Sequence, residues 1–305
     1  EVAFLLAEAR RTQGDLKGAV TEYENAVRQT KGERAEEALF RLGFVRFQLK
    51  IYDQAAKDFG DYRSKHKKGS HYQQAGTLEG RAHLENKAFA KAESVFGNLS
   101  KEPKAGAEVF LWRARVFQRQ EKYAEAVNVL KAASVKFATD PMAPVLLFDL
   151  GNNLFGQEKY ADAIKPLTLV IQQHKIFEHV SKAMRLSSLC LHYEKKFEES
   201  NQLCAKYLAA HAGRPEAADV VFLQAENLLF LKEHDKAVPA YRKFIAANTT
   251  HPQVSVAKLR VGQSYYQQKK WSEALKVLEP LAALKDAPKI FAEVDFMVGG
   301  CHYEN

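Results

Sequence analysis

One octapeptide recurs almost unchanged in this chain, as QEKYAEAV at residues 120–127 and as QEKYADAI at residues 157–164. Looser copies lie on both sides of this pair, and the small residue near the end of each of the eight copies recurs every 34 to 37 residues. Such a period indicates stacked supersecondary units, none of which can bury its apolar face alone. It constrains the fold more than the length of 305 residues, which fits two globular domains or one array.

Aligned copies place small residues in two columns and bulky residues in two others. The first small column contains Ala19, Ala55, Ala92, Ala126, Ala163, Ser200, Ala237 and Ala274. The second small column, twelve residues earlier in each copy, contains Ala7, Gly43, Gly80, Ala114, Gly151, Ser188, Ala225 and Gly262, and continues into Gly299. The first bulky column lies between them and contains Leu16, Tyr52, Phe89, Tyr123, Tyr160, Phe197, His234 and Trp271. The second bulky column, four residues after the first small column, contains Tyr23, Phe59, Phe96, Leu130, Leu167, Cys204, Tyr241 and Leu278.

These columns predict pairs of antiparallel helices. Two helices joined by a short turn approach closely where both carry small side chains, and bulky residues one turn away fill the space beside the contact. Glycine and proline are sparse, at 16 and 9, and no convincing alternating strand pattern occurs. Each copy is therefore expected to contain a first helix, a turn and a second helix, with Tyr160 opening one of the second helices.

The pattern resembles the tetratricopeptide repeat family, as in Leu150 and Gly151 of a first helix with Ala163 and Leu167 of the next. The resemblance implies an all-α, right-handed superhelical solenoid of antiparallel helix pairs that covers residues 1–305 as one domain. Its repeats are expected at residues 1–33, 34–70, 71–106, 107–143, 144–180, 181–217, 218–254 and 255–291, with a half repeat at 292–305. The long units further resemble those of bacterial envelope repeat proteins, including the outer-membrane assembly lipoproteins and the Tol-Pal coordinator.

Three departures from the pattern have structural explanations that we favour. Pro166 and Pro280 fall inside second helices, where each removes a backbone donor and is expected to bend the helix. His234 replaces an aromatic residue, and a histidine in such a column is more often a packing residue than a ligand or acid. Cys190 and Cys204 are expected to be buried free thiols.

Composition and motifs argue against several classes of function. The net charge of +8 is spread evenly, at +1 or +2 per block of about fifty residues, so no basic patch predicts nucleic-acid binding. The densest cluster, RSKHKKGSH from Arg63 to His71, is expected to be a solvated loop. No phosphate loop, dinucleotide fingerprint or metal-ligand spacing occurs, so we expect no catalytic residues, no enzyme activity, no metal and no cofactor. No apolar stretch predicts a membrane span.

A helical solenoid offers its concave wall, lined by first helices, for binding peptide segments or partner proteins. Residues that follow the second small column, with those about one turn away, are expected to face that wall. The candidate partner-binding residues are Phe44, Phe47, Arg81, Arg115, Arg119, Asn152, Phe155, Arg185, His192, Glu226 and Tyr266. Leu111 and Phe222 are also placed there. Aromatic residues would anchor apolar groups and arginines would bind carboxylates, although Phe44 and Phe155 fit core positions equally well.

The sequence therefore predicts a non-catalytic scaffold for protein partners in assembly or transport at a bacterial envelope, periplasmic or outer-membrane associated. A cytoplasmic location is the alternative. RNA binding, suggested by the pI of about 9.2, and a substrate-docking arm of an enzyme are competing functions. We expect the chain to be a fragment of a longer protein, and its C-terminal end to self-associate through an apolar face with Phe291, Phe296 and Met297.

Overall fold

The computed structural model of the protein describes residues 2–283 and 292–304, and these residues form seventeen α-helices and no strand. The first helices of the repeats are α1 (Val2–Thr12), α3 (Glu33–Gln48), α5 (Tyr72–Glu85), α7 (Ala107–Arg119), α9 (Ala143–Gly156), α11 (Val180–Tyr193), α13 (Ala217–Phe230), α15 (Val254–Gln267) and α17 (Ala292–Glu304). The second helices are α2 (Leu16–Gln29), α4 (Tyr52–Lys65), α6 (Phe89–Leu99), α8 (Tyr123–Lys136), α10 (Tyr160–Gln173), α12 (Phe197–His211), α14 (His234–Ala247) and α16 (Trp271–Ala282). The predicted all-α class is therefore confirmed.

The chain divides into two compact units, residues 1–157 and 158–305. The first unit contains α1 to α9 and the second contains α10 to α17. Each predicted repeat holds one first and one second helix, and the predicted half repeat holds α17. One continuous right-handed array over residues 1–305 stays a prediction, as does self-association, and Phe291 lies outside the described residues.

The first bulky column marks the start of the second helices. In all eight described pairs the second helix begins at the residue of this column, from Leu16 in α2 to Trp271 in α16. These side chains are half-buried, because they lie at the turn, where one side faces the preceding helix and the other faces solvent. The expectation that Tyr160 opens a second helix is confirmed.

The turn before each second helix has one geometry throughout the chain. Lys50 has a left-handed backbone with φ of 61°, its N–H donates to the Phe47 carbonyl oxygen at 3.0 Å, and the Ile51 N–H donates to the Arg46 carbonyl oxygen at 2.9 Å. This pair of hydrogen bonds is the Schellman motif, which satisfies the last carbonyl groups of the first helix. The residues at the left-handed position are Gly14, Lys50, Lys87, Glu121, Glu158, Lys195, Lys232 and Lys269. Seven of the eight turns therefore have a residue other than glycine at the left-handed position, which glycine adopts most readily.

The contact between paired helices is as tight as the columns predict. Every residue of the first small column and of the second bulky column is fully buried. A β-carbon on Gly80 would lie 2.5 Å from the Phe96 ring, and one on Gly262 would lie 2.3 Å from Leu278. Gly299 differs, since it is exposed and no described atom would lie within 4 Å of a β-carbon there. The small residues are thus required where a second helix packs against them.

The predicted free thiols are confirmed for Cys190 and Cys204, which are buried and unpaired. Burial raises the pKa of Cys190 to about 12 and that of Cys204 to about 11, so both remain protonated thiols at neutral pH. Pro166 and Pro280 lie inside α10 and α16 as predicted, and Pro239 lies inside α14 as well. The bends expected at these prolines stay predictions.

The basic cluster from Arg63 to His71 is only in part the solvated loop that the sequence suggested, since residues 66–71 lie between helices and Lys65, Lys67 and Lys68 are exposed. Arg63 and Lys65 belong to α4, and the Arg63 guanidinium donates to Glu79 at 2.9 Å and lies over the Tyr72 ring. The His71 ring stacks on Phe40 with centroids 4.1 Å apart. The prediction was therefore wrong for Arg63 and His71, which contacts with neighbouring helices satisfy, and it holds for the exposed lysines.

The close contact at Gly80 predicts opposite effects for two matched substitutions. Gly80→Ala is expected to destabilise the first unit by roughly 1–3 kcal/mol, because the new methyl group would overlap the buried Phe96 ring. Gly97→Ala in α6 is the control, since its β-carbon would approach only the flexible end of Glu93 at 3.4 Å. Because alanine favours a helix over glycine by about 1 kcal/mol, this control is expected to stabilise the unit. Urea unfolding followed by circular dichroism at 222 nm measures both, and an unchanged midpoint for Gly80→Ala would contradict the packing account.

The left-handed turn at Lys195 predicts a gain in stability on substitution by glycine. Lys195 has φ of 59°, a conformation that costs a side-chain residue about 1–2 kcal/mol and glycine almost nothing. The extra freedom of glycine in the unfolded chain offsets this by roughly 0.5–1 kcal/mol, so Lys195→Gly should raise the unfolding midpoint modestly. Lys196→Gly removes the same charge at φ of −90° and should lower it. Thermal unfolding measures the midpoints of both variants. Equal midpoints would show that the backbone at Lys195 is not strained.

Candidate partner-binding walls

One surface of the first unit carries a row of stacked aromatic and guanidinium groups, which we call the first wall: Phe47, Arg81, Trp112, Arg115 and Asp149. The Arg81 guanidinium carbon lies 5.3 Å from the centroid of the Phe47 ring and 4.4 Å from that of Trp112. The Arg115 guanidinium carbon lies 4.9 Å from the Trp112 ring, and Arg115 Nε donates to Asp149 Oδ2 at 2.9 Å. The row therefore crosses the four first helices α3, α5, α7 and α9.

The repeat explains why these side chains meet. Arg81 and Arg115 each follow a residue of the second small column, so they occupy equivalent places beside the helix contact in consecutive repeats. A guanidinium group packs flat on an aromatic ring while its N–H groups stay available at the edge. Arg81 has its nearest carboxylate oxygen at 4.0 Å on Glu108, and Arg119 is exposed with no ion pair among the described residues. Arg81 therefore has one long ion pair, and Arg119, on the same helix as Arg115, has none among the described residues.

Trp112 is the member of the first wall that the sequence analysis missed. Leu111 was placed on the wall, but it is 2% exposed and belongs to the core, whereas its neighbour Trp112 is half-buried and reaches the arginines. The error is one helical position, equivalent to 100° around the axis. The presence of only two tryptophans in the chain was the available signal, since tryptophan is enriched among residues that carry binding energy.

Other predicted residues of the first unit lie near this row without joining it. Phe44 packs partly buried against the core cluster formed around Phe59, which favours the core alternative for this position. Asn152 and Phe155 are half-buried on α9. Arg119 is the exposed last residue of α7. The structure thus joins Phe47, Arg81 and Arg115 and leaves the other four as separate surface or core positions.

The second unit brings Arg185, His192 and Glu226 together at an open cleft, which we call the second-unit cleft. Its volume is about 320 Å³, and it lies between α11 and α13 with Gln253 at the start of α15. The apolar lining consists of Leu189, Phe222 and Leu223. Phe222 is 7% exposed and supports the floor from the core, so it contributes less surface than the sequence analysis expected.

Glu226 is already engaged by neighbouring residues. It is 8% exposed, accepts a hydrogen bond from the Tyr241 hydroxyl, and accepts another from Arg260 Nε at 3.1 Å. Burial, reinforced by the Glu226 carboxylate, raises the pKa of the Tyr241 hydroxyl, which therefore stays protonated as a donor. Glu226 thus joins α13 to α14 and α15, and its charge is balanced within the unit.

A chain of hydrogen bonds fixes the orientation of His192. Ser200 Oγ donates to the Ser188 carbonyl oxygen at 2.8 Å and accepts from Asn227 Nδ2 at 2.8 Å. The Asn227 Oδ1 atom therefore faces His192 Nδ1, 2.6 Å away, so this ring nitrogen carries the proton. In the neutral ring the Nε2 atom is then a hydrogen-bond acceptor. Edge contacts with Phe197 and Phe230 hold the ring in place.

Tyr266 lies apart from that group, in a neighbouring cleft of about 720 Å³ lined by α13, α15 and α17. Its ring makes an edge contact with Trp271, with centroids 5.2 Å apart. The same cleft contains Phe230 and Phe296, which are 52% and 74% exposed. These aromatic surfaces are available for an apolar partner.

The described part of the chain has neither a membrane-spanning helix nor a metal-binding cluster. None of its helices combines the length and the apolar character that a membrane crossing needs. Within residues 2–283 and 292–304, no three His, Cys, Asp or Glu side chains are grouped so as to hold a metal ion. The first wall and the two clefts of the second unit are therefore the candidate functional surfaces of this region.

The chain belongs to the tetratricopeptide repeat family. The family model described as tetratricopeptide repeat matches residues 4–64, 111–175 and 222–289, which together exceed half of the chain. Its repeats typically mediate interactions between proteins, and the family is generally non-catalytic. No curated protein matches this sequence.

Solved structures share the fold at low sequence identity. The C-terminal part of a TPR repeat-containing protein from Cytophaga hutchinsonii is 15% identical, with a TM-score of 0.65 over 84% of this chain and 98% of the other. YrrB, a TPR protein with an unusual peptide-binding site, is 17% identical, with a TM-score of 0.55 over 67% of this chain and 98% of the other. The pilF protein of Pseudomonas aeruginosa is 19% identical, with a TM-score of 0.52 over 73% and 96%. At such identities the likeness concerns the fold alone.

Proposed function

We propose that this chain is a scaffold that binds peptide segments of partner proteins through its first wall, without catalysing a reaction. The observation that carries the proposal is the row of Phe47, Arg81, Trp112 and Arg115, which crosses successive first helices. The contact within each helix pair is made by the fully buried small and bulky columns, which leave Arg81, Trp112 and Arg115 partly exposed.

The chemistry of the row suits a peptide. Partly exposed aromatic rings and arginines are the residue types that supply most of the binding energy at protein interfaces. Stacking on Phe47 and Trp112 restricts Arg81 before a partner arrives, so less side-chain entropy is lost on binding. Arg81, whose ion pair with Glu108 spans 4.0 Å, and Arg119, which has no ion pair among the described residues, favour carboxylates or backbone oxygens of the partner.

Charge reversal at Arg81 of the first wall and at Arg119, which lies near it on α7, tests this proposal. The variant Arg81→Glu with Arg119→Glu is expected to lose partner proteins recovered by crosslinking and affinity capture from a bacterial lysate, by about tenfold or more. Arg115 is left unchanged, because a glutamate there would directly face Asp149, its ion-pair partner at 2.9 Å, whereas the pair of Arg81 with Glu108 spans 4.0 Å. Trp112 fluorescence in a Trp271→Phe background reports whether a captured partner reaches this wall.

The matched control carries the same change of charge elsewhere. Lys122→Glu with Lys131→Glu alters two exposed lysines at the start and on the surface of α8. This control is expected to recover the same proteins as the unaltered chain. If both double variants and the unaltered chain recover identical sets, the first wall is not the binding surface.

We further propose that the partners act in assembly or transport at a bacterial envelope, and that the protein is periplasmic or associated with the outer membrane. The support is the resemblance of its long repeat units to those of envelope repeat proteins. Fractionation of the source cells with an antibody against the chain is expected to place it with the envelope fractions. Recovery with the cytosol would overturn this part of the proposal and leave the scaffold function standing.

A further inference from the structure

Arg185 occupies a position that the two repeats on either side fill with apolar residues. The equivalent positions in the neighbouring first helices are Leu111, Phe148, Phe222 and Leu259, as the spacing of 37 residues shows. Of these, Leu111, Phe222 and Leu259 are buried in the core. A cation in this column does not help the helices to pack, since a charged group loses hydration there.

The Arg185 guanidinium forms no ion pair with the described residues. No carboxylate oxygen lies within 4 Å of it, whereas Arg115 and Arg260 on equivalent surfaces each hold a carboxylate. Its Nε atom is buried and has no hydrogen-bond partner in the described residues. A partly desolvated cation without a partner is costly, and a carboxylate that reached it would be bound strongly for the same reason.

The second-unit cleft beside Arg185 has the length of a short peptide segment. Arg185 and His192 both line it and are seven residues apart on α11, about 10 Å along the helix axis. An extended peptide covers this distance with about three residues. Leu189, Phe222 and Leu223 lie in the same cleft and offer an apolar surface.

Resting on the scaffold function proposed above, we propose that the second-unit cleft recognises an extended acidic segment of a partner protein. An aspartate or glutamate of that segment binds Arg185, and an apolar side chain covers Leu189 and Leu223. A backbone N–H near the other end donates to His192 Nε2, which the Ser200–Asn227 chain leaves as an acceptor. Arg185 is the residue that selects for the acidic group.

Asp219 allows the sign of the charge of the bound peptide to be tested. Its carboxylate also lines the second-unit cleft, where His251 Nε2 lies 3.3 Å away, and its side chain is 46% exposed. A carboxylate bound at Arg185 is repelled by Asp219, whereas a basic group is attracted. Neutralising the two residues must therefore change the affinity for an acidic segment in opposite directions.

The experiment selects peptides from a phage-displayed random dodecapeptide library on the whole chain and sequences those recovered. Dissociation constants of fluorescein-labelled synthetic copies are then measured by fluorescence polarisation. The variants are Arg185→Gln, Asp219→Asn and, as a matched control, Arg214→Gln at an exposed turn outside the cleft. Circular dichroism and thermal midpoints establish that each variant is folded.

The selected peptides are expected to be enriched in aspartate or glutamate next to an apolar residue. Arg185→Gln should weaken their binding by about tenfold or more, Asp219→Asn should tighten it by a few-fold, and Arg214→Gln should leave it unchanged. Enrichment of basic peptides with the two effects reversed would overturn the inference. So would peptides whose affinity is insensitive to Arg185→Gln, in which case the scaffold function survives, whereas failure to recover any peptide would count against both.

A structural role for Arg185 gives a different result. If the side chain only balances Asp219 within the fold, Arg185→Gln and Asp219→Asn should both lower the thermal midpoint. Neither should then alter the peptides recovered or their affinities, and the inference would be rejected.

Discussion

Each repeat depends on one close contact, in which a small residue of the first helix meets a small residue and a bulky residue of the second. Because Gly80 and Gly262 have no space for a β-carbon, the two helices of those pairs can approach only with glycine at these positions. The contact fixes helix distance, and the column spacing fixes where the next pair begins. The positions of a first helix that lie outside the core are then free to vary, and the first wall and the second-unit cleft contain such positions.

The sequence allowed the helices to be located closely, because packing against a neighbour leaves a record in residue size. Helices α3, α9, α11, α13 and α15 begin one residue before the repeat boundaries read from the columns. The turn geometry left no comparable record. Seven of the eight left-handed positions carry lysine or glutamate, residue types from which a positive φ is not predicted. The conformation there is determined by the hydrogen bonds of the Schellman motif.

The sequence predicted which face of the first helices forms a binding surface. It did not predict which single residues are exposed there, or which residues of neighbouring helices they contact. Placing Leu111 rather than Trp112 on the first wall shows the limit, since a rotation by one residue exchanges a core position for an exposed one. Arg63 and Glu226 show a second limit. Both were read as solvated or binding charges, yet each has a partner on a neighbouring helix that no local pattern in the sequence identifies.

Two ion pairs indicate how the array uses charge. Arg115 with Asp149, and Glu226 with Arg260, each join consecutive first helices across 34 residues, with the order of acid and base reversed. In both pairs the carboxylate is the more buried partner and the arginine the more exposed one. In each pair the two charges balance within one unit. Because both pairs join consecutive first helices at the same spacing, we assign them to the stacking of repeats.

Residues that lack such a partner therefore carry more information about binding than residues that are merely charged. Arg119 is exposed on α7, and Arg185 replaces the apolar residue of the neighbouring repeats on α11 and forms no ion pair within 4 Å in the described residues. A cation that neither packs a core nor completes an ion pair lowers stability unless something outside the unit binds it. In a fold whose repeated positions are fixed by packing, the sites of recognition are expected where one repeat departs from its neighbours and the structure supplies no internal reason.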